Sequence, residues 1–238
     1  MTQHFTPKAG PTPMSSDTAL YRLMTWLSPS YPVGAYAFSH GIENAVERDY
    51  IRDRDTALDW IRDLVLHGNG RSDLVFLKEA WDAYGDSAAL RQIAAYAVAF
   101  QTTNELRTES VAQGRAFAEV TREAWHSERL IESLDAIADA PAYPVVVGVT
   151  AAAHAVGRED TMLAFGHAFA ANLVSAAVRL VPLGQTDGQR ITAALEPDVG
   201  AAIGEATTLS RHTVSNATIY SDICSMNHET QYTRLFRS

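Results

Sequence analysis

Residues 161–181 read TMLAFGHAFAANLVSAAVRLV, the longest apolar stretch of the chain. A run of this length could cross a bilayer as a helix, but His167, Asn172 and Arg179 interrupt it and it is rich in alanine, so it reads as the core helix of an α-helical domain. Asp160 supplies a cap before it, and Pro182 and Gly184 break it afterwards. Upstream, Pro141 and Pro144 start a buried helix over Val145 to Val156 with Gly157 as its stop. Downstream, Pro197 begins another that runs to about Leu209.

The rest of the chain repeats this pattern. Leu20, Leu23, Met24 and Leu27 make a first amphipathic helix, ended by Pro29 and Pro32. The loop SPSYPVGAY feeds a second helix through roughly Phe38 to Arg48. Asp55 caps a third, with Leu58, Ile61 and Val65 inward and Gly68 and Gly70 loosening its end. Leu74, Leu77, Trp81 and Tyr84 share a face after Ser72. Asp86 or Ser87 caps a long stretch in which Ile93, Ala97, Phe100, Asn104 and Glu105 line up down to Gly114. No window alternates with β-branched and aromatic residues. The expected fold is all-α: a single-domain bundle of roughly eight to ten helices over residues 17–211, a disordered Pro-bearing arm over 1–16, and a C-terminal tail over 212–238.

Composition bounds the function. The 238 residues are 47% hydrophobic, enough for a sizeable core, and carry a net charge of −9. That balance argues against a nucleic-acid partner or an anionic membrane surface. Of the 19 basic side chains only Lys8 and Lys78 are lysine, a bias that favours bidentate ion pairs and that a GC-rich genome also produces. The single cysteine, Cys224, cannot form an internal disulfide, and the first residues lack the charged and apolar regions of a signal peptide; both fit a cytoplasmic protein.

The motif search is mostly exclusions. A Walker A loop needs a glycine before its lysine, yet Pro7 precedes Lys8 and Leu77 precedes Lys78. His228-Glu229 opens like a zinc-protease helix, but Tyr232 stands where the second imidazole belongs. There is no Gly-x-Ser-x-Gly elbow, so no enzyme class is indicated. Cys224 and His228, four apart, form either a weak soft-ligand pair with Asp222 nearby or a small apolar thiol beside a hydrogen-bonding imidazole. His40 and Glu43 lie one turn apart, as a cleft-lining polar pair or a surface pair. Arg179 to Gln189, RLVPLGQTDGQ, offers Gln185, Thr186, Asp187 and Gln189 in a compact turn, either a recognition loop or a cap in which Asp187 starts a helix at Gly188. In the tail, Ile219, Ile223 and Met226 fall at i, i+4 and i+7, followed by Tyr232, Leu235 and Phe236; such a stripe folds back on its own domain or docks on a partner.

Five ordered blocks carry a resemblance: SPSYPVGAYAFSHGIE (28–43), NELRTES (104–110), YPVVVGVTAAA (143–153), NLVSAAVRLVPLGQTDGQ (172–189) and SDICSMNHETQYTRLFRS (221–238). With them the chain resembles the urease accessory protein UreF family from about Leu20 to Ser238. Cys224 and Asn227 depart from the family pattern, which commonly has alanine and a basic residue there. The resemblance implies an all-helical, non-enzymatic homodimer without a cofactor. Such a protein joins UreD/UreH and the GTPase UreG, modulates that GTPase, and supports nickel incorporation into apo-urease. It also implies that the tail residues Ile219, Ile223, Met226, His228, Tyr232, Arg234, Leu235 and Phe236 contact UreD/UreH, with Arg179, Gln185, Thr186, Asp187 and Gln189 at or near the dimer or GTPase surface. The alternative is a nickel-binding metallochaperone that carries or channels the ion, with Cys224, His228 and His40 as candidate ligands.

Overall fold

The computed structural model describes residues 16–237. The arm expected over residues 1–16 lies outside them except for Ser16, which begins the first helix. The described residues form twelve α-helices, one short 3-10 turn and no strand, so the all-α reading stands.

Helix α1 (Ser16–Trp26) leads through a loop with a 3-10 turn (Ala35–Ala37) to α2 (Ile42–Glu47). Then come α3 (Arg54–His67), α4 (Asn69–Asp82), α5 (Ser87–Phe100) and α6 (Asn104–Ala124). The remainder is α7 (Glu128–Ala136), α8 (Tyr143–Ala153), α9 (Arg158–Leu180), α10 (Gln185–Ala194), α11 (Glu196–Thr208) and α12 (Ile219–His228). Local chemistry explains several boundaries that differ from the sequence reading. Asp53, not Asp55, caps α3, in a reciprocal box with Thr56. The stretch from Ala88 to Gly114 is two helices: Gln101 turns extended after α5, and the Thr103 hydroxyl accepts from Leu106 N to start α6. Gly157 is the residue before α9 rather than the stop of α8, and Asp160 lies inside the first turn.

Helix α4 is the axis of the domain. Every residue from Asn69 to Lys78 is buried, and α3, α5, α8, α9 and α11 pack around it. Its closest crossing is with α8, whose residues Pro144 to Ala152 are all buried. Gly148 permits that crossing, because a Cβ there would collide with the carbonyl oxygen of Leu77. Several of the polar residues that α4 takes inside have partners on other elements. Arg71 donates to Glu205 Oε1 (2.6 Å) and to Ser215 O (2.7 Å). Lys78 donates to the carbonyls of Ala206, Thr207 and Leu209 at the end of α11, capping that helix as a cation should.

Among the described residues α9 is the one helix long and apolar enough to cross a membrane. Its Met162, Phe165, Leu173 and Ala177 belong to the core cluster, and it packs against α3, α4, α10 and α11. It is the core helix that its interruptions suggested.

Candidate functional site

The site is assembled where α2, α6, α9 and the C-terminal tail meet. The Pro-rich loop ends with His40 and Gly41 in the left-handed region (φ 58° and 79°). Glycine is needed at the second position for a further reason: a Cβ would lie 3.0 Å from Ser225 N and 3.1 Å from Ser221 O of α12. This turn sets α2 against α12 and aims Glu43 inward. On α6, Glu105 and Glu109 stand one turn apart on the buried face.

Each carboxylate of α6 meets an imidazole from elsewhere. His228, the last residue of α12 and fully buried, places Nδ1 at 2.9 and 3.0 Å from the Glu105 oxygens and Nε2 at 3.0 Å from Glu43 Oε2. His40 Nδ1 lies 3.2 Å from Glu109 Oε2, and Gln113 Nε2 donates to the other oxygen of that carboxylate (3.0 Å). Burial disfavours the imidazolium form of His228, but the hydrogen bonds and charges of Glu105 and Glu43 outweigh it and raise its pKa. His40 follows the same logic: burial opposes the charge, Glu109 overrides it, and the pKa ends raised.

Glu43 also holds the end of the chain. Its Oε1 accepts from Leu235 N (2.6 Å) and its Oε2 from Phe236 N (2.9 Å). Arg237 N donates to Ala37 O (2.7 Å), while Arg179 donates to Tyr36 O (2.8 Å) and lies 4.2 Å over the Phe236 ring. Arg234 approaches Glu105 at 3.6 Å. Farther back, the Ser225 and Thr103 hydroxyls bond each other (2.7 Å) and Asp222 accepts from Thr102 (2.8 Å).

The tail is therefore inverted relative to an ordinary surface helix. Ser221, Cys224, Ser225 and His228 face the domain, while Ile219, Tyr220, Ile223 and Met226 are 46–69% exposed, as are Leu235 (66%) and all of Tyr232. The stripe read from sequence is continuous and faces outward. Phe236 is its exception, buried under Arg179, and His228 is an internal anchor rather than a surface contact.

The other candidate residues separate. His40 and Glu43 do not pair; each has a different partner. Cys224 packs in the core cluster, and burial pushes its thiol up to about 11, which removes the thiolate a soft metal needs. Among the described residues no group of three His, Cys, Asp or Glu is arranged to hold a metal ion. The expected Arg179 to Gln189 loop is split between the last turn of α9 and the first turn of α10, so Gly184, not Asp187, precedes the helix. Gln185, Thr186 and Gln189 are exposed there, and Asp187 accepts from Arg190 (3.0 Å). The sequence reading passed over Glu105 and Glu109 as functional groups; the available signal was two carboxylates at i, i+4 on a face that also carries core residues.

The family model described as UreF matches residues 51–196, well over half of the chain. The chain belongs to the UreF family. The urease accessory protein UreF of Rhodopseudomonas palustris (strain BisB5) is 48% identical over 235 residues, 98% of this chain and 97% of the relative. That of Bradyrhizobium diazoefficiens is 45% identical over 240 residues, covering 100% and 99%, and that of Azorhizobium caulinodans 46% over 218 residues, covering 91% and 94%. Similarity to these UreF proteins at near full length extends beyond residue 196, where the family model ends.

Proposed function

We propose that this chain is a urease accessory protein of the scaffolding kind, without catalysis of its own. It works in the cytoplasm as a homodimer and joins UreD/UreH and the GTPase UreG so that nickel is incorporated into apo-urease. The single observation that carries this reading is the outward apolar face of α12. A helix already fixed by its polar side has no energetic reason to expose Ile219, Ile223 and Met226 unless another surface covers them. Burying three such side chains is worth roughly 1.5–3 kcal/mol each, before the costs of association.

In this reading residues 212–238 are the partner-binding segment. Ile219, Ile223, Met226, Tyr232 and Leu235 meet UreD/UreH, with Arg234 at the rim. Arg179, Gln185, Thr186, Asp187 and Gln189 form a second contact surface, through which UreG's nucleotide state is biased by preference for one of its conformations. Membership of the family supports the accessory role, and the relatives' shared name supports urease as its object.

The test is co-purification of the three accessory proteins with the double variant Ile219→Glu/Ile223→Glu, whose changes lie on the exposed face and leave the inner face of α12 intact. UreD/UreH is expected to be lost from the complex while the variant keeps its helical spectrum. Full retention of UreD/UreH refutes the tail assignment.

A further inference from the structure

The outward stripe of α12 is too small to hold a partner protein by itself. Specific interfaces bury roughly 800 Å² and about 20–30 residues on each side. A helix of 10 residues is only about 15 Å long, and along its outer face this one offers Ile219, Tyr220, Ile223 and Met226. A partner seated there must also touch what lies beside the helix, and the two flanks of α12 differ in chemistry.

One flank is polar. Asp222 accepts from Thr102, and Thr102 and Asn104 are exposed where α6 begins. On the other flank Tyr220 meets an aromatic pair that belongs to the domain. The Tyr50 ring lies edge-on to Tyr220 (centroids 6.1 Å apart, planes at 72°) and stacks on Trp60 of α3 (6.1 Å, 15°). Tyr50 is 44% exposed and Tyr220 69%, while Trp60 is half-buried.

The domain fixes the Tyr50 ring in advance. Asp49 takes the left-handed conformation after α2 (φ 59°), and the amides of Tyr50 and Ile51 both donate to Ala45 O (2.9 and 3.3 Å). Ile51 is buried; it anchors the turn and leaves Tyr50 on the outside. Met226, Ile223 and Tyr220 follow one another at helical spacing of three, and the ring contacts carry the same strip on to Tyr50 and Trp60. Its edge is polar, an open depression lined by Asn44, Arg48, Asn227 and Gln231. An apolar centre with aromatic anchors inside a polar rim is the anatomy of a binding surface, and rings held in place beforehand lose little entropy when covered.

We propose that the protein docking on the tail also covers Tyr50 and Trp60, so that α12 and the α2–α3 turn form one docking surface and the tail is bound in its seat. This rests on the reading of α12 given above. The occupant is a protein face carrying a strip of aliphatic or aromatic side chains that reaches from Met226 to Trp60.

The experiment co-purifies UreD/UreH with the full chain and compares Tyr50→Ala, Tyr50→Phe and the tail variant Ile219→Glu/Ile223→Glu. Removing an aromatic anchor is expected to cut retained UreD/UreH by about tenfold in Tyr50→Ala, whereas Tyr50→Phe, which keeps the ring, retains it as wild type does. Wild-type retention by Tyr50→Ala together with loss in the tail variant overturns this inference and leaves the tail assignment standing. Retention by the tail variant overturns the tail assignment itself. Should Tyr50→Ala unfold at a lower temperature than wild type, hydroxyl-radical footprinting of the wild-type chain decides: slower oxidation of Tyr50 and Trp60 in the complex than in the free chain supports the surface, and equal rates refute it.

Discussion

Replacing Glu43 by glutamine isolates the device that holds the end of the chain. The carboxylate accepts three hydrogen bonds, from Leu235 N, Phe236 N and His228 Nε2. Glutamine keeps the size and one acceptor oxygen but turns an N–H group toward donors. A hydrogen bond to a charged group contributes about 1.5–3 kcal/mol. Losing two of them, with allowance for water reaching the exposed side of the strap, destabilises the closed strap by about 3 kcal/mol. At roughly 1.4 kcal/mol per decade this is at least a hundredfold rise in the open population. Trypsin reads that population, because cleavage after Arg234 requires the chain end to leave its seat, and fast opening makes the rate track the equilibrium. Mass spectrometry of the intact chain should show loss of residues 235–238 about a hundredfold faster in Glu43→Gln, with the helical spectrum unchanged. A rate within twofold of wild type refutes the strap.

Three further outcomes are expected. Since the raised pKa of His228 reflects stabilisation of its charged form, the hold on the tail is fully present below the ordinary histidine value of about 6.5 and is lost as pH rises through the raised value; amide exchange at Leu235 and Phe236, corrected for intrinsic rate, should be slower at pH 6 than at pH 9, and His228→Gln should flatten that difference. Gly148→Ala forces α8 away from the backbone of Leu77 and should cost 3 kcal/mol or more, on the order of the larger overpacking penalties, read as a lowered denaturant midpoint. Lys78→Met leaves the carbonyls of Ala206, Thr207 and Leu209 without their donor and should cost about 3 kcal/mol in thermal unfolding; a change within 0.5 kcal/mol would show that water replaces the ammonium there.

The helical class was legible because apolar spacing and Pro or Gly punctuation agree along most of the chain. Boundaries were less so, for identifiable reasons. Phe100, Asn104 and Glu105 stay in phase across the break at Gln101, so periodicity could not reveal it; the hydroxyl of Thr103 could. Helix α4 read as amphipathic because Asn69, Arg71, Asp73 and Lys78 are polar, and nothing local shows that Asn69, Arg71 and Lys78 meet partners inside. The outward stripe of α12 was legible as a face. Its polar underside was not, since His228 reaches partners 185 and 123 positions away, and pairing at that range leaves no trace in spacing.

The inverted seating of α12 has a consequence for exchange between bound and released states. Were the tail lifted by a partner, the surface uncovered on the domain would include Glu43, Glu105 and Thr103, groups that water solvates readily, beside the apolar seats of Cys224 and Phe236. An ordinary amphipathic helix leaves a hydrophobic scar when it departs, and the exposed domain then aggregates or recloses at once. Here the wettable side stays with the domain and the adhesive side travels with the tail. Such a departure would uncover less apolar surface on the domain than that of an ordinary amphipathic helix.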